Sequence, residues 1–254
     1  MEIPFILSPD SSSQNLCGGR KVVKNDKENT GIALVSGGMD SCVAAAFASR
    51  ETSPAFLHVK YGQRTEAGEE RYFRDIADYY NIPPERRLVV SLTHLSKIGG
   101  SALTDQNIPV PKHLSVPEKM DFAPATYVPF RNTHILSIAV SWAEVIGASA
   151  IYIGAVEEDS AGYPDCRPEY YEAFNRLIAT GSYAGERLKV LTPLIDMTKT
   201  EIVKKGIELG APLHLSWSCY ERSEQACGRC DSCLRRLRAF REAGFEDRIP
   251  YVDH

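Results

Sequence analysis

Leu34–Ala46 reads LVSGGMDSCVAAA: a hydrophobic run, then Ser36-Gly37-Gly38-Met39-Asp40-Ser41, then a run rich in alanine. Its reading decides the fold. One reading is a tight strand-to-helix turn with no further meaning; the other is a cradle for phosphates. GIALVSGG (31–38) is a continuous apolar run ended by two glycines, the pattern of a short buried strand. Ser41 to Arg50 then has the apolar face of a helix. In an open parallel sheet, ligands gather at the carboxyl ends of the strands. There two glycines let the backbone approach a bulky anion, small hydroxyls add donors, and the N–H groups and positive dipole end of the following helix complete an anion site. The loop has no lysine, so it is not the Gly-Lys-Ser/Thr nucleotide loop, and it does not match G-x-G-x-x-G.

Outward from this stretch, strand and helix patterns alternate. SPAFLHVKYG (53–62) is a second strand, Thr65 to Tyr80 a helix that stops before Ile82-Pro83-Pro84, and RRLVVSL (86–92) a third strand. NTHILSIAVSWAEVIGA (132–148) is a helix and AIYIGAV (150–156) a fourth strand. EYYEAFNRLIATG (169–181) is a helix and RLKVLTPLI (187–195) a fifth strand. Thr198-Lys199-Thr200-Glu201 is a capping box that opens a helix to Leu209, which Gly210 stops. Five alternations predict an α/β fold: an open parallel sheet of about five strands with helices on both faces. No internal repeat is visible. Residues 96–129 contain five prolines and little periodicity; a connection this long is a lid, binding loop or linker. The expected organisation is a leader over 1–30, an α/β domain over 31–212 that includes the long loop, and a C-terminal segment over 213–254.

The chain has 254 residues, 43% hydrophobic and 24% charged, which suits one large domain with a small appendage and needs no disulfide to hold its core. Net charge is −4 and the pI about 5.9, a balance that argues against nucleic acid as the main partner. Arg235, Arg236, Arg238 and Arg241 fall at helical spacing and are expected to form a solvated face. No run of about 18 apolar residues exists, so no membrane span is expected. The polar leader lacks the basic and apolar regions of a secretion signal. Seven cysteines without an export signal point to a reducing compartment, the cytoplasm.

Four of those cysteines, Cys219, Cys227, Cys230 and Cys233, form C-x7-C-x2-C-x2-C. Four thiolates at this spacing match a closed tetrahedral zinc site. An iron–sulfur cluster also takes four cysteines, and disulfides are the remaining alternative. Zinc is favoured because the chemistry suggested elsewhere needs no electron transfer. With all ligands from protein the site has no open position and is structural. Cys17, Cys42 and Cys166 read as ordinary small residues.

SGGMDS also fits the SGGxDS pyrophosphate loop of the ATP pyrophosphatases, whose members split ATP between its α and β phosphates. With HVKYGQR (58–64), YVPFRN (127–132), GAVEEDSAGYPDCRPEY (154–170) and SWSCYERSEQACGRCDSC (216–233), it resembles the 7-cyano-7-deazaguanine synthases of the queuosine precursor pathway. The likeness runs from Ile32 to Tyr251. It implies an adenine nucleotide alpha hydrolase-like fold and a ligase acting on 7-carboxy-7-deazaguanine, ATP and ammonia, with magnesium, structural zinc and a homodimer. It departs from the family at Phe130, where many members carry a small residue, and in the length of the leader.

The resemblance implies the following roles. Ser36, Gly37, Gly38 and Ser41, with Val35, Met39, Cys42 and Val43 beside them, hold the phosphates, and Asp40 stands near magnesium. The backbone of Leu57, His58 and Val59 meets the adenine; the His58 side chain reads as structural. Arg64 and Arg131 serve the phosphates or the substrate carboxylate, where a planar two-donor group suits. Tyr61 and Asn132 belong to the substrate pocket, although Asn132 reads equally well as the N-cap of the helix that follows. Glu157, Asp159 and Asp165 match the N–H and amino edge of a guanine-like ring, Tyr163 flanks the ring, and Arg167 pairs with these acids or touches ligand. Alternatives are an enzyme that stops at the amide or couples the acid to a protein amine, a tRNA-modifying ATP pyrophosphatase, and a zinc-stabilised nucleotide-binding module without chemistry.

Overall fold

The computed structural model describes residues 29–111, 123–157 and 163–252. The expected leader except its last two residues, Cys17, residues 112–122 of the long loop and Asp159 lie outside the described residues. Five strands form one sheet: β1 (Thr30–Leu34), β2 (Ser53–Lys60), β3 (Arg87–Ser91), β4 (Ala150–Tyr152) and β5 (Lys189–Leu191), in the order β3-β2-β1-β4-β5. Every pairing is parallel. The helices are α1 (Met39–Glu51), α2 (Glu66–Tyr79), α3 (Thr93–Ile98), α4 (Arg131–Ile146), α5 (Pro168–Gly181), α6 (Lys199–Leu209) and α7 (Asp231–Ala243). None is long and apolar enough to cross a membrane among the described residues.

β1 lies at the centre, and its side chains alternate between two cores. Ile32 and Leu34 join Leu57, Ile151, Leu136 of α4 and Phe174 of α5 on one face. Ala33 and Val35 join Phe56, Phe73 of α2, Ile202 of α6 and Phe240 of α7 on the other. A strand clothed on both faces has no polar side to show, which is why GIALV reads as an unbroken apolar run. α1 is likewise covered on nearly all sides: Cys42, Val43, Ala44, Ala45, Ala46 and Ala48 are buried. Small residues are what allow it to lie between the sheet and α6; its periodicity is weak because it has little solvent face.

The capping box forms as its sequence predicts. The Thr198 hydroxyl accepts from the Glu201 N–H at 3.3 Å, and the Glu201 carboxylate accepts from the Thr198 N–H at 2.8 Å. The fourth and fifth strands are shorter than their apolar runs, yet the chain keeps its neighbour. The Ile153 N–H donates to the Leu191 carbonyl at 3.1 Å, and the Glu157 N–H to the Ile195 carbonyl at 2.8 Å. Between these bonds Gly154 meets the first turn of α1. A Cβ on Gly154 would sit 2.6 Å from the carbonyl carbon of Asp40 and 2.8 Å from the Ser41 nitrogen.

The C-terminal segment packs into the same body, since Ala239 and Phe240 of α7 share a core with Val43 and Ile202. Here the expectation of a solvated arginine face fails at Arg236, which is 1% exposed. Its guanidinium donates to both carboxylate oxygens of Asp247 at 2.7 and 2.9 Å, to the Ser216 hydroxyl at 2.8 Å and to the Leu213 carbonyl at 3.0 Å. Arg238 and Arg241 are exposed, and Arg235 is half-buried against Asp231. Helical spacing cannot distinguish a solvated arginine from one whose partner arrives eleven residues later, because only the tertiary fold brings Asp247 back.

Two outcomes follow from this packing. Asp247→Ala strands the Arg236 charge in the interior and should lower unfolding free energy by about 3–5 kcal/mol, read from denaturant midpoints. Gly154→Ala forces one methyl group into backbone and should cost about 1–3 kcal/mol, measured in the same way.

Candidate active site

The order of the strands reverses between β1 and β4, and the crevice outside their carboxyl ends is where such sheets bind ligands. A cavity of about 340 Å³ opens there. Its floor is the loop after β1. Gly37 has φ +88°, and a Cβ at that position would come 2.9 Å from the Glu69 carbonyl oxygen. Glycine is therefore required both by conformation and by space. Gly38 precedes α1 with extended backbone, and no side chain caps the first turn of that helix. Ser36 and Ser41 share a hydrogen bond of 3.1 Å between their hydroxyls, and the Ser41 hydroxyl donates to the Gly38 carbonyl at 2.9 Å. The result is a turn of N–H and O–H groups at the positive end of a helix, suited to a phosphate or pyrophosphate.

Other elements hold this turn in place. The Trp217 N–H donates to the Gly37 carbonyl at 2.7 Å. Its ring stacks on Tyr72 at 5.0 Å and 6°, and its indole N–H reaches the Arg222 carbonyl at 2.7 Å. His58 is buried with one ring nitrogen 2.9 Å from the Val35 carbonyl and its ring stacked on Phe73. Burial lowers its pKa, so the ring is neutral and its Nδ1–H donates. The His58 side chain thus supports the end of β1 from behind.

Val35, Ser36, Gly38, Met39, Asp40 and Ser41 line the cavity, as do Leu57, Val59, Tyr61, Arg64, Arg131, Asn132 and Tyr163. Gly37 is beneath the floor. Cys42 and Val43 are fully buried in the core, and burial pushes the Cys42 thiol up to about 12, which makes it inert. Glu157 and Arg167 are exposed and do not line the cavity. Arg64 donates to the carbonyls of Ala102 (2.6 Å) and Asp105 (2.8 Å), and also to that of Ile108, fastening the long loop to the cavity wall. Arg131 donates to the Tyr61 hydroxyl at 3.1 Å. Tyr163 and Thr126 share a hydroxyl contact of 2.6 Å that joins the two loops flanking the cavity.

Asn132 is not the N-cap of α4. That position belongs to Phe130, in left-handed backbone at φ 59° and 58% exposed. Phe130 has no side-chain acceptor to offer, and the buried Asp165 carboxylate accepts the Asn132 N–H at 3.3 Å instead. The Asn132 amide in turn donates to the Asp165 carbonyl at 3.1 Å. Asp165 therefore secures the entry of α4 from a distant loop, with its carboxylate engaged at the helix's positive end.

Several cavity residues carry no sequence signal strong enough to find them. Lys199, the first residue of α6, reaches the Asp40 carboxylate at 2.9 Å; in the sequence it is only a member of a capping box. Gln63 and Thr65, just before α2, and Glu69 in its first turn line the cavity, as do Arg235 and Arg236 from α7. Gly154 is the contact that presses β4 against the loop. Among the described residues the basic groups Arg64, Arg131, Lys199 and Arg235 outnumber the acids Asp40, Glu69 and Asp231 along the cavity, with Arg236 already balanced by Asp247, and that surplus favours an anion.

The four cysteines of the C-terminal segment converge, all buried, with every ligand atom within 4.8 Å of the others. Cys227 and Cys233 sulfurs lie 4.0 Å apart, close to the ~3.8 Å between ligands of a tetrahedral metal with bonds of about 2.3 Å. Backbone N–H groups point at three of the sulfurs: Glu221 and Cys227 at Cys219, Cys230 at Cys227, and Tyr220 and Cys233 at Cys230. Without a cation the thiols cannot all ionise. Cys219 is held low by the thiols of Cys230 and Cys233, while hydrogen bonding to Cys219 pushes Cys230 up to about 12 and Cys233 higher still. This donor set fits a soft divalent ion with four protein ligands.

Residues 30–244 match the family described as Queuosine biosynthesis protein QueC. The 7-cyano-7-deazaguanine synthase of Acidobacterium capsulatum is 54% identical over 227 residues, covering 89% of this chain and 98% of that protein. The synthase of Chlorobaculum tepidum is 55% identical over 222 residues, covering 87% and 95%. That of Koribacter versatilis is 54% identical over 236 residues, covering 91% and 97%. With a match across most of its length, the chain belongs to the queuosine biosynthesis protein QueC family.

Proposed function

We propose that this protein converts 7-carboxy-7-deazaguanine and ammonia to 7-cyano-7-deazaguanine at the expense of ATP. The observation that carries the reading is the glycine-and-serine turn at the start of α1, open to a cavity with a basic surplus, in a chain whose relatives bear that synthase name. A carboxylate is a poor electrophile and an amide a worse one. Attack of the carboxylate oxygen on the α-phosphorus of ATP, with loss of pyrophosphate, makes that oxygen a leaving group. Ammonia then displaces AMP to give the amide. A second ATP adenylates the amide oxygen, and loss of AMP and the N–H protons leaves the nitrile.

The chain's residues divide this work. Ser36, Gly38 and Ser41 hold the phosphates, and the backbone at Leu57 and Val59 borders the adenine. Lys199 adds a cation where pyrophosphate departs. Magnesium neutralises triphosphate charge when bound, and Asp40 is the carboxylate placed to hold it. Arg131, braced by Tyr61, suits the substrate carboxylate. Tyr163 flanks the ring; with Glu157 exposed outside the cavity and Asp165 committed to α4, Asp159 is the acid we assign to its N–H edge. Zinc on Cys219, Cys227, Cys230 and Cys233 serves structure. Residues 31–212 form the catalytic unit with 213–254 as its metal-bearing brace, in a cytoplasmic homodimer.

Incubation with the deazaguanine acid, ATP, magnesium and ammonium should yield the nitrile by mass spectrometry, with AMP formed only when acid and ammonium are both present; a persistent amide would overturn the reading. Asp40→Ala should lower AMP release by at least about 10²-fold with the thermal midpoint retained. Cys230→Ser should lose the bound metal, measured by elemental analysis, together with several degrees of melting temperature.

A further inference from the structure

Among the described residues three carboxylates line the cavity: Asp40, Asp231 and Glu69. Asp40 is paired with Lys199 at 2.9 Å and Asp231 with Arg235 at 3.0 Å. Among the described residues no ion pair involves Glu69. Its two oxygens accept instead from neutral donors, the Thr65 hydroxyl at 2.7 Å and the Gln63 side-chain amide at 2.8 Å. Gln63 is itself fixed, because its carbonyl accepts the Tyr61 N–H at 2.8 Å. The carboxylate is therefore aimed by two hydrogen bonds while keeping its negative charge and its remaining lone pairs. It also belongs beside the phosphate turn, since the Glu69 backbone oxygen is what a Cβ at Gly37 would strike at 2.9 Å. The titratable groups that feel its charge are His58, which is neutral, and Tyr61, which burial keeps protonated; Arg64 and Arg131 line the same cavity.

The chemistry poses a need that this group meets. Near neutral pH, ammonia in water is almost entirely ammonium, which has no lone pair and cannot attack an acyl adenylate. A cavity with a basic surplus repels that cation unless one wall offers uncompensated negative charge. We infer that Glu69 is the site's ammonium-binding residue and proton acceptor, an inference that rests on the proposed amidation. One N–H proton passes from ammonium to the Glu69 carboxylate. The freed nitrogen pair forms the C–N bond to the acyl carbon, and the C–O bond to phosphate breaks with its electron pair leaving on AMP. The surplus proton on nitrogen and the one held by Glu69 then return to solvent. Thr65 and Gln63 act as positioning residues, holding the carboxylate without neutralising it.

Hydroxylamine separates this role from a structural one, because it is neutral near neutral pH and attacks acyl adenylates without prior loss of a proton. With Glu69→Gln, the ratio of turnover on ammonium to turnover on hydroxylamine should fall about 10²-fold relative to the unaltered protein. That ratio should recover as pH rises and free ammonia increases. Equal losses with both nucleophiles, or ammonium turnover unaffected near neutral pH, would overturn the inference. Should Glu69→Gln fail to fold, Glu69→Asp withdraws the charge by one methylene, and its KM for ammonium should rise more than its KM for hydroxylamine; equal changes count against the role. If the unaltered protein releases no AMP from the deazaguanine acid and ATP with either ammonium or hydroxylamine, it is the proposed reaction that fails, not the assignment of Glu69 within it.

Discussion

The Ser36–Ser41 turn is held between segments that leave no room for a side chain at two points. Gly154, just past β4, presses on the Asp40 peptide, and Gly37 faces the carbonyl of Glu69. The Trp217 N–H then closes on the Gly37 carbonyl from the C-terminal segment. A loop that binds by its own backbone can hold an anion only if that backbone does not relax, because N–H groups that can reorient lose their advantage over water. Contacts from β4, α2 and the C-terminal segment supply that rigidity. Sheet order and the placement of α2 and Trp217 all serve to bring these backbones together.

The same demand explains why the four-cysteine cluster and a buried ion pair stand so near the cavity. The segment carrying Trp217 has little regular structure between Leu213–Leu215 and α7, so its backbone has few partners of its own. Arg236, on α7, fixes the segment's entrance through Leu213 and Ser216, and Asp247 from beyond the end of α7 holds that guanidinium in place. The four cysteines tie Cys219, two residues beyond Trp217, to the start of α7. A buried pair contributes little net stability, but as a geometric constraint it sets where the Trp217 N–H must lie.

Much of this was legible from local chemistry. The SGGMDS turn, the Thr198–Glu201 capping box and the spacing of the four cysteines each depend on residues close in the chain, and the apolar runs of β1 and β2 announce strands covered on both faces. Other features were not. Arg236 looked like a member of a solvated stripe, Lys199 like a helix-capping neighbour and Asn132 like a cap, because their partners Asp247, Asp40 and Asp165 lie 11, 159 and 33 residues away. Phe130 was conspicuous in the sequence only as an odd residue; its left-handed backbone is a tertiary outcome, held where Asp165 supplies the acceptor that a polar residue would otherwise provide.

By itself the sequence determined the alternating elements, the glycine-and-serine turn, the four-cysteine set and the family to which these belong, since each arises from short-range sterics, periodicity or spacing. Only the tertiary structure decided which charges meet across the cavity, and which of the three described acids there has no ion pair. Charge pairing depends on distances between residues remote in the chain, and those distances are set when the strands choose their order in the sheet.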